Sequence, residues 1–462
     1  MKKTDIPAQI MPTLDASIRK NSMAEVPIGY TEEMAVIEAS RCIDCKNAPC
    51  VKGCPVAIDI PKMLKLTAEK KFTEALETVR EANFLPAICG RVCPQESQCQ
   101  KECTLGKMKG GTVLPLYIGN IERYLADNYT GYLDLKKPSF STGKKVAVAG
   151  SGPGGITCAA ELASMGHQVV IFEALHKLGG VLVYGIPEFR LPRETLNREV
   201  EFLSKLGVEL ATNVIVGKTI SIEEILSEYD ALFIATGAGV PSFPNIEGIH
   251  LPGTSSANEF LTRANLMEAW KESSRTPLFV GETTVVIGGG NVAMDAARTS
   301  LRAGSGRVVV AYRREESDMP ARREEIVHAK EEGIEFIFLA SPEKITESEQ
   351  GGVQGILFRK MRAEKNPTGE KSKIYNTDET FFLNCDSVIF ATGTSPNPII
   401  TASFPVLETN SNGTIIVNPE TMMTSVPKIF AGGDAVSGAA TVILAMSHGK
   451  AAAKGINDFI MK

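Results

Sequence analysis

The run VAVAGSGPGGITCAAELASMGHQVVIFE, residues 146–173, decides the fold. It holds, in order, an apolar β-branched strand, a glycine-rich turn, a helical stretch, a second apolar strand and a terminal acid. Gly150 allows the tight turn, Gly152 lets the backbone approach a pyrophosphate, and Gly155 permits close helix–strand packing. Pro153 and Gly154 complete the turn and open the helix, whose N-terminal N–H groups face the phosphates. Glu173, about 20 residues further on, is placed to accept hydrogen bonds from a ribose diol. A glycine triplet alone would be weak evidence, because tight turns use glycine for structural reasons. The complete order makes this a dinucleotide-binding unit.

Outward from this unit, similar apolar runs end in glycine at 231–237, 284–290 and 387–393, KIFAGGD covers 428–434 and RVVVAYR covers 307–313. Such runs, alternating with helical stretches, indicate parallel sheets covered on both faces. A second unit, VVIGGGNVAMDAARTSLRAGSGRVVVAYRR, starts at Val285. Gly288, Gly290 and Ala293 fit G-x-G-x-x-A, with the helix opening near Asn291 and Val292. Where the first unit has Glu173, this one has Arg313 and Arg314. An acid there would repel an adenosine 2′-phosphate, whereas guanidinium groups bind it in a fork, so NADP(H) is favoured over NAD(H). A solvated arginine pair is the plainer alternative. The triplets ATG at 235–237 and again at Ala391, Thr392 and Gly393 bracket the second unit, as expected where the chain crosses between two nucleotide domains. FAGGDAVSGAAT (430–441) resembles the ribityl-contacting aspartate loop of flavoproteins with two dinucleotide domains. That resemblance puts FAD in the first site, with Asp434 on the ribityl chain and Gly433 and Thr441 beside it; an ordinary helix-capping Asp434 is the alternative.

The chain has 462 residues, a net charge of −5, 43% hydrophobic and 22% charged residues, which exclude a disordered chain and a basic nucleic-acid footprint. The start, MKKTDIPAQIMP, lacks the apolar core of a signal peptide, and no run reaches membrane-span length, so a cytoplasmic protein is expected. Eight of the ten cysteines lie between Cys42 and Cys103, in the patterns Cys42-x2-Cys45-x4-Cys50-x3-Cys54-Pro55 and Cys89-x3-Cys93-Pro94-x4-Cys99-x3-Cys103. A reducing compartment disfavours disulfides, leaving metal ligation as the main reading. The C-x-x-C with a later Cys-Pro resembles bacterial ferredoxin runs, while Cys₄ zinc remains open from spacing alone. Iron–sulfur clusters would explain why this block precedes two redox-nucleotide units.

RCIDCKNAPCVKGCPVAIDIP, ICGRVCPQESQC and GVLVYGIPEFRLP together resemble the glutamate synthase small-chain family, over essentially the whole chain. That resemblance implies an α/β protein with an N-terminal α-helical iron–sulfur domain (1–140) and two doubly wound nucleotide-binding domains. The NADP(H) domain (281–393) is inserted in the FAD domain (141–280 plus 394–462), with GYLDLKKPSFSTGKK (131–145) as a linker. It implies that Cys42, Cys45, Cys50 and Cys103 bind one [4Fe–4S] cluster, and Cys54, Cys93, Cys99 and Glu122 a second. Cys89, Cys158 and Cys385 are then packed thiols, and the redox disulfide of thioredoxin-reductase relatives is absent. Arg190 matches a flavin-contacting arginine of the family, with a purely structural arginine as the alternative, and Gly180 and Val181 belong to the FAD site.

Short segments, APCVKGCP and GRVCPQE, look more like the ferredoxin-linked, electron-bifurcating branch of the family, whose subunit pairs with a smaller FAD and [2Fe–2S] subunit and with ferredoxin. The opposing reading is a small chain that feeds a separate glutamine-dependent large chain. Under either, hydride passes between NADP(H) and FAD and electrons leave through two [4Fe–4S] clusters. No side-chain acid, base or covalent catalyst is expected, since the chemistry is the cofactors' own.

Overall fold

Helix-spaced apolar residues build the first part of the chain. In the computed structural model, which describes residues 2–129, 138–364 and 372–462, the helix Ile60–Ala68 buries Ile60, Met63 and Leu64, and Phe72–Arg80 buries Phe72, Ala75, Leu76 and Val79. Asp59 caps the former by accepting from the Lys62 N–H at 3.2 Å. Two further helices border the metal-site candidates: α1 (Pro86–Val92), opened by proline at its first turn and followed by Cys93, and α2 (Ile118–Asn128), which carries Glu122. They pack backbone to backbone at Gly90, where a Cβ would lie 2.7 Å from the Arg123 nitrogen. The expected linker falls partly on 130–137, outside the described residues; 138–144 contain no helix or strand.

The first nucleotide unit is β1 (Lys145–Ala149), α3 (Pro153–Ser164) and β2 (Gln168–Glu173). With β3 (Glu209–Thr212), β4 (Ala231–Ile234) and β15 (Ile429–Ala431) it forms a five-stranded sheet in the order β15-β4-β1-β2-β3, every pair parallel. The strand order reverses beside β1, where α/β sheets leave a crevice at the carboxyl ends of the strands. A second parallel sheet repeats the plan in the order β6-β13-β7-β8-β9. Its strands are β6 (Thr254–Ser256), β7 (Thr283–Ile287), β8 (Arg307–Tyr312), β9 (Glu335–Phe338) and β13 (Ser387–Phe390). Between β7 and β8 runs α4 (Asn291–Arg302), and α5 (Arg323–Glu331) precedes β9. The C-terminal α6 (Val442–Ile460) lies along α3, and its Gly449 is so close that a Cβ would sit 2.4 Å from the Gly154 carbonyl oxygen.

Two features depart from the expected organisation. The second domain does not begin at 281: β6 pairs with β13 and takes the edge that β15 holds in the first sheet. The crossing point is instead the antiparallel ribbon of β5 (Val240–Pro241) with β14 (Thr394–Ser395), just beyond the two ATG triplets. The second domain also carries an antiparallel sheet of β10 (Ala340–Glu347), β11 (Val353–Glu364) and β12 (Lys373–Asn384) that the doubly wound plan does not contain. Its last strand has only half-buried and exposed residues, so it lacks the continuous apolar run that marks a parallel strand.

Candidate functional site

At the end of β1 the Gly150 N–H donates to the Phe172 carbonyl at 2.8 Å, fixing the turn between β1 and β2. Gly150 has φ +102° and lies under the ATG loop, where a Cβ would sit 2.6 Å from the Ala235 oxygen. A Cβ on Gly155 would sit 2.0 Å from the Gly150 oxygen, whereas one on Gly152 would meet nothing within 4 Å. Gly152 heads α3 without any side-chain cap, so the first N–H groups of that helix are left for a ligand. Gly180, at φ +54°, packs over the turn with its would-be Cβ 3.0 Å from the Gly152 Cα, and Val181 starts the next short helix. The turn is therefore a cradle closed beneath and open at Gly152, as a dinucleotide requires.

Glu173 is buried, and its carboxylate accepts from the Ser151 N–H (2.9 Å), the Ser151 hydroxyl (2.5 Å) and the Leu175 N–H (2.8 Å). A carboxylate has about four lone-pair sites, so capacity for a ribose hydroxyl remains. Asp434 follows Gly433, whose N–H donates to His448 Nδ1 at 3.1 Å. Burial pushes the Asp434 carboxyl up to about 6, against a hydrogen bond from the Ala440 N–H. Tyr184, raised to about 12 mainly by burial, also feels Asp434 and then Glu173, which puts both carboxylates on one site. Thr441 caps α6 through the Leu444 N–H at 3.3 Å.

The second cradle follows the same rules. The Gly288 N–H donates to the Ala311 carbonyl at 3.0 Å, and a Cβ there would come within 2.5 Å of the Ala391 oxygen. Gly290 heads α4 uncapped, with only a Pro320 carbon 3.9 Å from its would-be Cβ. Asn291 accepts from the Arg322 N–H at 2.9 Å, and Val292 is exposed. Thr392 donates to the Ser242 carbonyl at 2.5 Å, while Gly393 at φ +107° faces open space. The two arginines after β8 are not equivalent: Arg313 is exposed, and Arg314 is tied to the Ser372 carbonyl.

Arg190, expected to contact the flavin, has its guanidinium engaged elsewhere in the ligand-free chain. It is buried and points into the second domain, where Nη1 donates to both Asp295 oxygens at 2.8 and 2.7 Å and Nε stands 3.2 Å from Glu325. Burial pushes Asp295 up to about 6 against the opposing pull of Arg190, which leaves the pair ionised at neutral pH.

The cysteines gather in two sets, and all are free thiols. Burial raises Cys42 and Cys50; the neighbouring thiols acting on them are Cys103 and Cys45, and Cys103 and Cys42, respectively. Cys45 lies 3.2 Å from the Thr104 hydroxyl. Burial raises Cys99 far above its usual value, with Cys93, Cys54 and Glu122 adding to it. This second set surrounds a cavity lined by Cys54, Cys93, Cys99, Glu122, Gln98 and Ile443. Among the described residues no three Cys, His, Asp or Glu side chains converge tightly enough for one metal ion. Thiols spread around a cavity suit a polynuclear cluster. Glu122 is only 6% exposed, and burial pushes it up to about 8.

Sequence reasoning missed three things here. Cys89 is packed, as expected, but in the wall of the second cavity, where its thiol is held protonated by a hydrogen bond to Cys93 and by burial. Asn83 donates to Glu122, with no local pattern to flag it. The cavity also borders the first cradle, because Ile443 belongs to α6 and Gln98 reaches the Thr441 hydroxyl at 3.5 Å.

The family described as dihydropyrimidine dehydrogenase domain II, 4Fe–4S cluster, matches residues 19–132, and the pyridine nucleotide-disulphide oxidoreductase family matches 144–449. The glutamate synthase [NADPH] small chain of Escherichia coli (strain K12) is 36% identical over 97% of this chain and 96% of its own length. The protein of the same name from Azospirillum brasilense is 35% identical over 98% and 95%. Among solved structures, Mycobacterium tuberculosis FprA in complex with NADPH aligns with a TM-score of 0.57 at 21% identity, covering 68% of this chain and 85% of that one, a likeness of fold. No helix among the described residues is long and apolar enough to cross a membrane.

Proposed function

The chain belongs to the glutamate synthase small-chain family of FAD- and iron–sulfur-dependent, NADPH-linked oxidoreductases, and from that premise we propose that it is an electron-donating small chain serving a separate glutamine-dependent large chain in the reducing interior of the cell. The full-length likeness to small chains outweighs the short segments that favour the ferredoxin-linked branch. The observation that carries the reading is the shared seam between the first cradle and the second thiol set. Ile443 and the Gln98–Thr441 contact join the loop that would hold FAD to the thiols that would hold a cluster.

In this reading Gly150, Gly152, Gly155, Gly180, Glu173 and Asp434 hold FAD, and Gly288, Gly290 and Arg313 hold NADP(H). Cys42, Cys45, Cys50 and Cys103 ligate one [4Fe–4S] cluster, and Cys54, Cys93, Cys99 and Glu122 the other. Bound there, the nicotinamide and the flavin supply hydride exchange, and the clusters supply one-electron relay. The protein's share is orientation, exclusion of water by the buried second cavity, and a short path between its walls.

The test is anaerobic titration of the reconstituted chain with NADPH, together with identification of the chain it co-purifies with. Bleaching of the flavin absorbance and an FMN-containing amidotransferase partner are expected. A partner carrying FAD and a [2Fe–2S] centre would move the assignment to the ferredoxin-linked branch, and absence of bleaching would reject the reductase.

The arginine pair gives a second expectation. Arg313→Ala should raise KM for NADPH about 10-fold or more, equivalent to about 1.4 kcal/mol, and leave NADH kinetics unchanged. Arg314→Ala should do less, because its guanidinium is already engaged with Ser372. Equal losses with both nucleotides would refute a 2′-phosphate contact.

A further inference from the structure

Asn83 lies in the short connection that precedes α1, and it is completely buried. Its Nδ2 donates to Glu122 Oε1 at 2.7 Å. Its Oδ1 accepts from the Leu85 N–H at 2.8 Å and faces the Cys89 thiol at 3.7 Å. These partners fix the amide: a flipped Asn83 would set an NH₂ against the Leu85 N–H and a carbonyl oxygen against the Glu122 carboxylate. Glu122 makes no other side-chain hydrogen bond among the described residues, so Oε2 is left for another partner. The same carboxylate shares its cavity with Cys54, Cys93 and Cys99.

We propose that Asn83 is the positioning residue of the second cluster site: by holding Oε1 of Glu122 it fixes the rotamer that turns Oε2 to the metal, and through Cys89 it steadies the helix that ends just before Cys93. The inference rests on the reading of Glu122 as a ligand. A buried carboxylate on a three-torsion side chain without this donor would have several poses, and only a fixed one makes a competent fourth ligand. Hydrogen-bonded supports of metal ligands of this kind are worth about 10- to 100-fold in metal affinity.

The experiment compares the full, anaerobically reconstituted chain with Asn83→Asp, Asn83→Leu and Glu122→Ala. Iron and sulfide content, the rate of iron loss to a chelator, low-temperature EPR of the reduced protein and FAD content are read for each. Asn83→Asp keeps an acceptor for the Leu85 N–H but sets a carboxyl against Glu122, whereas Asn83→Leu removes both contacts without adding charge. An effect common to the two separates positioning from capping and from charge. Both Asn83 variants should release the iron of one cluster about 10- to 100-fold faster and change its EPR signal, with the other cluster and FAD intact. Should Glu122→Ala alter that signal while both Asn83 variants match the parent, the positioning role is wrong and the ligand reading stands. Should Glu122→Ala itself match the parent, the ligand reading falls and the inference with it. Loss of both clusters and FAD together in both Asn83 variants would show a purely structural asparagine and overturn the proposal.

Discussion

Gly152→Ala is expected to leave the ligand-free chain as stable as its parent while lowering FAD affinity roughly 10- to 100-fold. Gly155→Ala should both release FAD and unfold more easily. The contrast follows from where each new methyl group would go. Gly152 has φ −66° and ψ 177°, which any residue adopts, and no atom lies within 4 Å of its would-be Cβ. An alanine there costs the empty protein nothing, but its methyl occupies the opening where the backbone must meet a pyrophosphate. Hydrogen bonds to a charged group, about 1.5–3 kcal/mol each, are then stretched or lost. At Gly155 the methyl lands 2.0 Å from the Gly150 oxygen, which is backbone and cannot swing aside. The turn must open, at about 3 kcal/mol, the upper part of the usual range for overpacking. Retention of FAD on desalting and the unfolding midpoint of the apoprotein measure the two effects separately. A Gly152→Ala protein that holds FAD like the parent would mean that the pyrophosphate does not lie at this turn.

That contrast also marks what a reader of the sequence can see. The two glycine turns are legible because their chemistry is local: Gly150, Gly152 and Gly155, and again Gly288 and Gly290, do their work within a few residues. The ATG triplets are legible for the same reason, and each lies against the first glycine of its own unit. What fails is whatever depends on distant partners. β6 is three residues, Thr254–Ser256, with no apolar run, and only its pairing to β13 makes it part of the second sheet. Arg190 reads as a cofactor contact through its family resemblance alone, and its ion-pair partner Asp295, 105 residues away, leaves no mark in the local sequence. The grouping of Cys103 with Cys42, and of Cys54 with Cys93 and Cys99, crosses two clusters in the sequence. Spacing alone left it open, and the family resemblance supplied it. Asn83 and Gln98 carry no pattern at all, since a buried amide gains its meaning from Glu122 and Thr441.

The largest loss of stability should come from Arg298→Met, at about 3–5 kcal/mol. Arg298 is completely buried on α4 and holds Glu325 at 2.5 Å and Glu332 at 2.7 and 3.0 Å. The same two glutamates take Arg190 from the FAD domain, Arg302 from α4 and Arg19 from the N-terminal domain. With Asp295 and Glu331, four carboxylates balance four guanidinium groups where three domains meet, and Phe189 lies against Arg298 and Arg302 with centroid distances of 4.6 and 4.1 Å. Methionine fills similar volume, so the penalty is chiefly that of burying carboxylates without their full complement of positive charge. The pH dependence identifies the cause. Although burial alone would raise Glu325 and Glu332, the arginines hold both near 2, below the usual carboxylate range. Their folded pKa values lie below the unfolded ones, so their contribution is complete above the unfolded pKa, about 4.3, and is lost as pH falls toward 2. In Arg298→Met part of that depression is lost, while Arg190 still acts on Glu325 and Arg302 on Glu332. The stability gap between parent and variant in urea should therefore be constant from pH 8 to 5 and close progressively below pH 4.5. A gap that stays the same at pH 3 would mean that Arg298 acts through packing on Phe189 rather than through charge, and the junction would then hold its three domains by contact alone.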